Sequence, residues 1–243
     1  MEISGKVALI TGSAKRIGRE TAVALAKRGA RIAVHYRSSE EDAYETLRLI
    51  ERAGSSGAVF QADLTEPQQI LAMFSKLERE FGRLDILVNS ASIFNTGSAD
   101  ETTLSEWNDE LNSNARGPFL VAQSAARMMK RAGNGKIVNL VDVAGEVIWP
   151  GYFSYSISKA ALIAVNRGLA KAYAPSIQVN GVAPGPVLFP ERYTEEQKQT
   201  AIERTLPKRA GNSGDVVNAI VFLIENDYIT GEVIHVDGGR HIM

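Results

Sequence analysis

A doubly wound α/β sheet, parallel and covered by helices on both faces, is the fold class this sequence predicts, and three observations predict it. Short β-branched runs alternate with amphipathic stretches along the whole chain. The runs Val7–Ile10 and Ile86–Val88 are nearly all apolar, as strands buried on both sides are. Helical stretches end at glycine, as at Gly29, Gly54, Gly82 and Gly133. No linker, internal repeat or low-complexity segment interrupts the pattern, so residues 1–243 read as a single domain.

In chain order, strands are expected at Lys6–Thr11, Arg31–Tyr36, Ala58–Gln61, Leu84–Asn89, Lys136–Val141, Ile177–Val182 and Val233–Val236, about seven in all. Helical periodicity covers Ile17–Arg28, Glu40–Ala53, Pro67–Phe81, Leu104–Arg131, Tyr152–Tyr173 and Ser213–Ile224. One stretch departs from the alternation. Pro184 to Ala210 carries Gly185, Pro186, Pro190 and Pro207 around a charged helical piece, Thr194–Thr205. A long excursion after a strand end is expected to act as a substrate lid, at about residues 186–210.

Composition excludes several function classes. The 243 residues are 44% hydrophobic and 23% charged, and a net charge of −1 gives no case for nucleic acid. With no cysteine there is no disulfide, thiolate metal site or thiol nucleophile, which fits a reducing compartment. His35, His235 and His241 are scattered without metal-ligand spacing, so no metal is expected. No apolar run reaches the ~18 residues of a membrane span. The N-terminus runs straight into a strand without a signal-peptide layout, and a cytoplasmic location is expected.

The first strand leads into Thr11-Gly12-Ser13-Ala14-Lys15-Arg16-Ile17-Gly18 and then a helix. A tight turn of small residues at a helix start aims backbone N–H groups and the positive dipole end at a pyrophosphate. The strand–turn–helix context makes the fold Rossmann-type and assigns Gly12, Lys15, Arg16, Ile17 and Gly18 to a dinucleotide. At the end of the second strand, NAD-binding folds carry an acid against the ribose hydroxyls. Here the chain reads His35-Tyr36-Arg37-Ser38. A guanidinium fork and a hydroxyl suit a phosphate, so NADPH is expected over NADH. Asp63-Leu64 follows the third strand and has two readings: Asp63 accepts from the adenine amino group, or it caps the next helix, unless Thr65 takes that place. Asn89-Ser90-Ala91 ends the fourth strand at the carboxyl edge, where such sheets bind ligands.

Tyr155 and Lys159 stand four residues apart on one helix face, and Asp142 lies thirteen residues before the tyrosine. A nearby ammonium favours the phenolate, so Lys159 is expected to lower the Tyr155 pKa and make a proton donor usable near neutral pH.

These markers, with Asn114, Pro184-Gly185 and Asp237-Gly238-Gly239, resemble the short-chain dehydrogenase/reductase family across essentially the whole chain. The resemblance implies that Lys159 binds the nicotinamide ribose, Tyr155 donates a proton, and Asn114 holds a water in a proton relay. It also implies a homotetramer, with Leu104–Arg131 and Tyr152–Tyr173 at an interface. Val121, Ala125, Ala161 and Val165 on those helices serve equally as core.

The chain departs from the family's usual pattern at four places. Arg16 replaces the middle glycine of the turn. Asp142 replaces a serine, and an ionised carboxylate accepts from N–H groups but cannot donate to a ketone. The fourth strand continues into Ser92-Ile93-Phe94. The usual threonine after Pro184-Gly185 is missing, which leaves nicotinamide contacts to backbone groups near Val187. The first three departures resemble the pteridine reductase branch, and the turn and the Asp237-Gly238-Gly239-Arg240-His241 ending also resemble dihydromonapterin reductases. This implies an NADPH-dependent reductase of a pterin or folate C=N bond. Phe94 is then expected to stack on the pterin, Arg16 and Ser92 to hold its edge, and Asp142 with Tyr155 to pass the proton. The alternatives are a reductase of a carbonyl, such as a 3-oxoacyl thioester or a sugar, and a non-catalytic dinucleotide-binding regulator. The C-terminal tail around Arg240 is expected to reach toward a neighbouring subunit's active site.

Overall fold

The computed structural model describes residues 1–243. Seven parallel strands form one sheet in the order β3-β2-β1-β4-β5-β6-β7. They are β1 (Val7–Ile10), β2 (Arg31–Tyr36), β3 (Gly57–Gln61), β4 (Ile86–Asn89), β5 (Gly135–Leu140), β6 (Ile177–Pro184) and β7 (Val233–Val236). The helices are α1 (Arg16–Ala26), α2 (Glu40–Arg52), α3 (Pro67–Phe81), α4 (Leu104–Leu111), α5 (Gly117–Ala132), α6 (Phe153–Tyr173), α7 (Glu195–Glu203) and α8 (Ser213–Glu225).

Side chains alternate faces along a strand, and the two cores follow that period. Ala8 and Ile10 of β1 pack with α1, α2 and α8, whereas Val7 and Leu9 pack with α3, α5 and α6. All four β1 residues are buried, which explains the unbroken apolar run. Leu9 pairs with Ala33 on one side and Leu87 on the other, so β1 lies between β2 and β4. The chain winds outward to β3 and then returns to β4, and this reversal opens a crevice at the carboxyl ends of β1 and β4.

The helix expected over Leu104–Arg131 is divided. A π-helical turn, Asn112–Arg116, separates α4 from α5. Pro118 follows it within the first turn of α5 and has no N–H to continue a regular ladder. The turn rotates the helix face and drives Asn114 inward to zero exposure. On the helices expected at an interface, Val121 and Ala125 are core residues, while Ala161 and Val165 stay partly exposed. No helix is long and apolar enough to cross a membrane.

Candidate active site

A cavity of about 1070 Å³ runs from the Gly12–Gly18 turn, past Asp63 and Ser90, to Tyr155 and Arg240. Its floor is the strand-end crevice, and its far wall is the excursion after β6.

The turn is built to sit close to its neighbours. A Cβ on Gly12 would meet Ala91 Cα at 2.9 Å, and one on Gly18 would meet the Gly12 carbonyl oxygen at 2.5 Å. Arg16 occupies the left-handed region at φ 54°, a conformation suited to the glycine it replaces and one that costs an L-residue about 1–2 kcal/mol. Its guanidinium donates to the Leu188 carbonyl at 2.5 Å and the Phe189 carbonyl at 3.5 Å, joining the turn to the excursion. Lys15 ion-pairs with Asp42 of α2 at 2.9 Å.

His35 anchors the turn and also borders the cavity. Gly12 N–H donates to its Nδ1 at 3.0 Å, which assigns the proton to Nε2, and Nε2 donates to the Ala62 carbonyl at 3.1 Å. Burial lowers its pKa to about 4. The unfolded side chain titrates near 6.5, so between these values the unfolded state binds more protons and stability falls as pH drops. We expect about 3 kcal/mol to be lost from His35 between pH ~6.5 and ~4. Urea unfolding at pH 7 and 4.5 checks this: the pH-dependent loss should shrink in His35→Gln.

The remaining cofactor-end residues divide into those that face the cavity and those that do not. Arg37 and Ser38 are exposed at the rim. Tyr36 packs against the core, yet it too lines the cavity, and its hydroxyl donates to Glu40 at 3.3 Å. Neither Asp63 nor Thr65 caps α3, whose N-cap position is Glu66. Asp63 instead accepts from the backbone and hydroxyl of Thr65 at 2.9 and 2.7 Å. Burial alone would raise its pKa, but these bonds and the Arg37 charge outweigh it and hold the carboxylate ionised. Leu64, Ser90 and Ala91 line the cavity, and Thr11 Oγ1 accepts the N–H groups of Ser90 and Ala91. Asn89 does not line it. Its amide is buried between strands, donating to Asn139 at 2.9 Å, and its Oδ1 has no partner. Pro184, Gly185 and Val187 line the opposite wall.

At the inner end, the Tyr155 hydroxyl donates to Asp142 Oδ2 at 2.8 Å, and Asp142 Oδ1 accepts the Ala144 N–H at 2.8 Å. Lys159 Nζ donates to the Leu140 carbonyl at 2.9 Å and lies 5.7 Å from the centre of the Tyr155 ring. The expected activation of the phenol by Lys159 is not what this arrangement produces. Burial, and then the Asp142 charge, push the Tyr155 pKa well above 10. Burial likewise raises Asp142 and lowers Lys159 to about 8. The Lys159 charge alone favours the phenolate, but for the buried Tyr155 desolvation is the larger effect.

Asn114 is not free to hold a water with its side chain. Its Oδ1 accepts from Ile93 N–H and the Ser92 hydroxyl, each at 2.9 Å. Its Nδ2 donates to Glu110, Ile93 O and Ser158 Oγ. Phe94 is also engaged: it stacks on Tyr152 at 4.6 Å and 6°, and meets Tyr155 edge-on. The Arg192 guanidinium lies 5.3 Å from its ring centre. A flat ligand therefore reaches a face of Phe94 only as an extension of this aromatic group or by displacing part of it. Arg240 turns into this chain's own cavity, 4.4 Å from the Trp149 ring centre, so its guanidinium does not depend on a neighbouring subunit to reach a site. Tyr152, Trp149, Tyr193 and Glu110 were not among the expected site residues, and Arg240 was expected only at a neighbouring subunit's site.

A family model described as enoyl-(acyl carrier protein) reductase matches residues 12–241. The chain is 34% identical over 242 residues to the 3-oxoacyl-(acyl-carrier-protein) reductase FabG of Staphylococcus aureus, covering 98% of each. Among solved structures, FolM alternative dihydrofolate reductase 1 of Brucella canis, complexed with NADP, is 29% identical with a TM-score of 0.93, covering 100% of this chain and 96% of that one. The reductase LugOII, which catalyses keto-reduction at C1 in lugdunomycin biosynthesis, is 34% identical with a TM-score of 0.91, covering 99% and 100%. With a family match over nearly its whole length and the Tyr155–Lys159 pair at the inner end of a dinucleotide crevice, the chain belongs to the short-chain dehydrogenase/reductase family of oxidoreductases.

Proposed function

We propose that the protein is an NADPH-dependent reductase of a pterin-type C=N bond, in a dihydropterin or dihydrofolate, with protonation through Tyr155 and Asp142. The observation that carries this reading is the 2.8 Å hydrogen bond from the buried Tyr155 to the half-buried Asp142 carboxyl at the inner end of the cavity. Reducing C=N needs hydride at carbon and a proton at nitrogen. A carboxyl can relay that proton and can accept from the N–H groups of a pterin. The likeness to FolM supports the same reading.

The cofactor fit rests on the glycine cradle, where a Cβ on Gly12 or Gly18 would clash, and on a cationic rim without an acid at the end of β2. NADPH, when bound, supplies the hydride. The Gly12–Gly18 turn would hold its pyrophosphate, Arg37 and Ser38 its 2′-phosphate, Asp63–Leu64 its adenine, and Lys159 its nicotinamide ribose. Gly185 and Val187 would border the nicotinamide. NADP in the FolM complex, and in that of the angucycline ketoreductase LanV, supports this choice.

A second reading is reduction of a carbonyl, and the similarity to FabG and LugOII favours it. Burial raises the Asp142 pKa, and a protonated carboxyl donates to a ketone as a serine would. An NADPH-oxidation assay with dihydrobiopterin, dihydromonapterin, dihydrofolate, acetoacetyl thioester and a set of ketones separates the two. The pterin reading expects the highest kcat/KM on a dihydropterin or dihydrofolate; turnover of carbonyls alone overturns it. In the same assay Arg37→Ala should lower kcat/KM for NADPH about 10- to 100-fold and leave that for NADH nearly unchanged. A wild-type preference for NADH would reverse the cofactor assignment.

A further inference from the structure

A buried carboxylate lies behind the catalytic pair, and the chemistry above does not use it. Glu110 of α4 has 0% exposed surface. An ionised carboxylate in that setting is costly unless its lone pairs are satisfied. Both oxygens of Glu110 accept from N–H groups: Oε1 from the Asn95 backbone at 2.9 Å, and Oε2 from the Asn114 amide at 2.6 Å.

These two bonds connect opposite walls of the site. Asn95 closes the segment that carries Ser92 and Phe94. The Asn114 amide holds the same segment through Ile93 and Ser92. The amide also donates to Ser158 Oγ at 3.0 Å, and the Ser158 hydroxyl donates onward to the Tyr155 carbonyl at 2.7 Å. Ser158 immediately precedes Lys159. One carboxylate thus fixes which way the Asn114 amide faces. A turned amide would present its oxygen to Glu110 and its N–H groups to the Ile93 N–H.

Burial lowers the Lys159 pKa, and the Asp142 and Glu110 charges act against that loss. Both charges also act on Tyr155, as does Tyr193, Arg240 acts on Asp142, and the exposed Asp109 lies next to Glu110 on α4.

We propose that Glu110 is a positioning residue of the active site: its carboxylate sets the Asn114 amide and holds the Ser92–Asn95 wall in register with Tyr155 and Lys159. The role belongs to the family's reductive chemistry and is independent of whether the substrate is a pterin or a carbonyl.

The test follows Lys159 directly, without substrate or cofactor. The full chain labelled with [ε-13C]lysine is titrated by NMR, with the Lys159 signal identified by its loss in Lys159→Arg. The wild-type midpoint is expected near 8. Glu110→Gln keeps the shape and removes the charge, so the Lys159 midpoint should fall by about one pH unit. Glu110→Asp keeps the charge and should stay near the wild-type midpoint. A merely structural role would not separate these two variants, and an unchanged midpoint in Glu110→Gln overturns the proposal. Should Glu110→Gln not fold, the wild-type protein labelled with 15N decides: an Asn114 side-chain amide signal that shifts as Glu110 titrates supports the proposal, and one that does not respond overturns it. With no substrate present, failure here leaves the substrate assignment untouched.

Discussion

Tyr155→Phe is expected to lower kcat by about three orders of magnitude, the scale a positioned general acid contributes. The fold should survive, because the Tyr155 ring packs edge-on against Phe94 and phenylalanine keeps that contact. What is lost is the hydroxyl that donates to Asp142 at 2.8 Å. Leaving that half-buried acceptor without its donor should cost about 1 kcal/mol of stability. NADPH affinity should change by less than about twofold, since an interaction made only in the transition state affects kcat and not ground-state binding. The pH profile adds a second check. Burial and the Asp142 charge hold the phenol protonated well beyond pH 10, so it cannot account for a loss of activity in mild alkali. Lys159, lowered to about 8 by burial, can. The wild-type kcat/KM should therefore fall with a midpoint near 8, measured by NADPH oxidation across pH 6 to 10, as the lysine loses its charge. A midpoint at about 10 or above would return the limb to the phenol.

The elements of the fold were legible because their signals are local. The apolar run Val7–Ile10 reads as a strand buried on both faces, and it is one. Strand ends and the Tyr155–Lys159 spacing place chemistry at the crevice by the same local logic. What escaped depends on contacts distant in sequence. Tyr152 bonds Tyr193 forty-one residues away, and nothing in either neighbourhood announces the other. Glu110 sits beside Asp109 and reads as the polar face of a helix, yet the π-helical turn after α4 brings it inside with Asn114. Asn89 was misassigned for a related reason. A polar residue at a strand end resembles a ligand contact, but its amide is turned toward Asn139 inside the sheet. The sign of the Tyr155 shift failed on energetics instead: charge is visible in a sequence, whereas desolvation exists only once the chain has folded.

Under the pterin reading, Asp142→Asn is expected to reduce kcat on a dihydropterin by about 100-fold or more and to leave NADPH affinity within about twofold. The geometry explains why an isostere should fail. Asp142 accepts two donors, the Ala144 N–H and the Tyr155 hydroxyl. Asparagine has one acceptor oxygen, so its NH2 must face one of them. The tyrosine hydroxyl would then accept instead of donate, and no titratable group would stand behind it. Stability should move the other way. Burial raises the Asp142 pKa, so the folded state binds more protons than the unfolded one between the ordinary carboxylate value and the raised one. Asp142 therefore detracts from stability as pH rises through that window, and Asp142→Asn should unfold at an equal or higher urea concentration at pH 7. Asp142→Ser sharpens the point by restoring the donor that suits a ketone. Under the pterin reading it should lose dihydropterin turnover and gain carbonyl turnover. Dihydropterin turnover preserved in Asp142→Ser would remove the carboxyl from the proton path, and equal losses in kcat and NADPH affinity for Asp142→Asn would make its role structural.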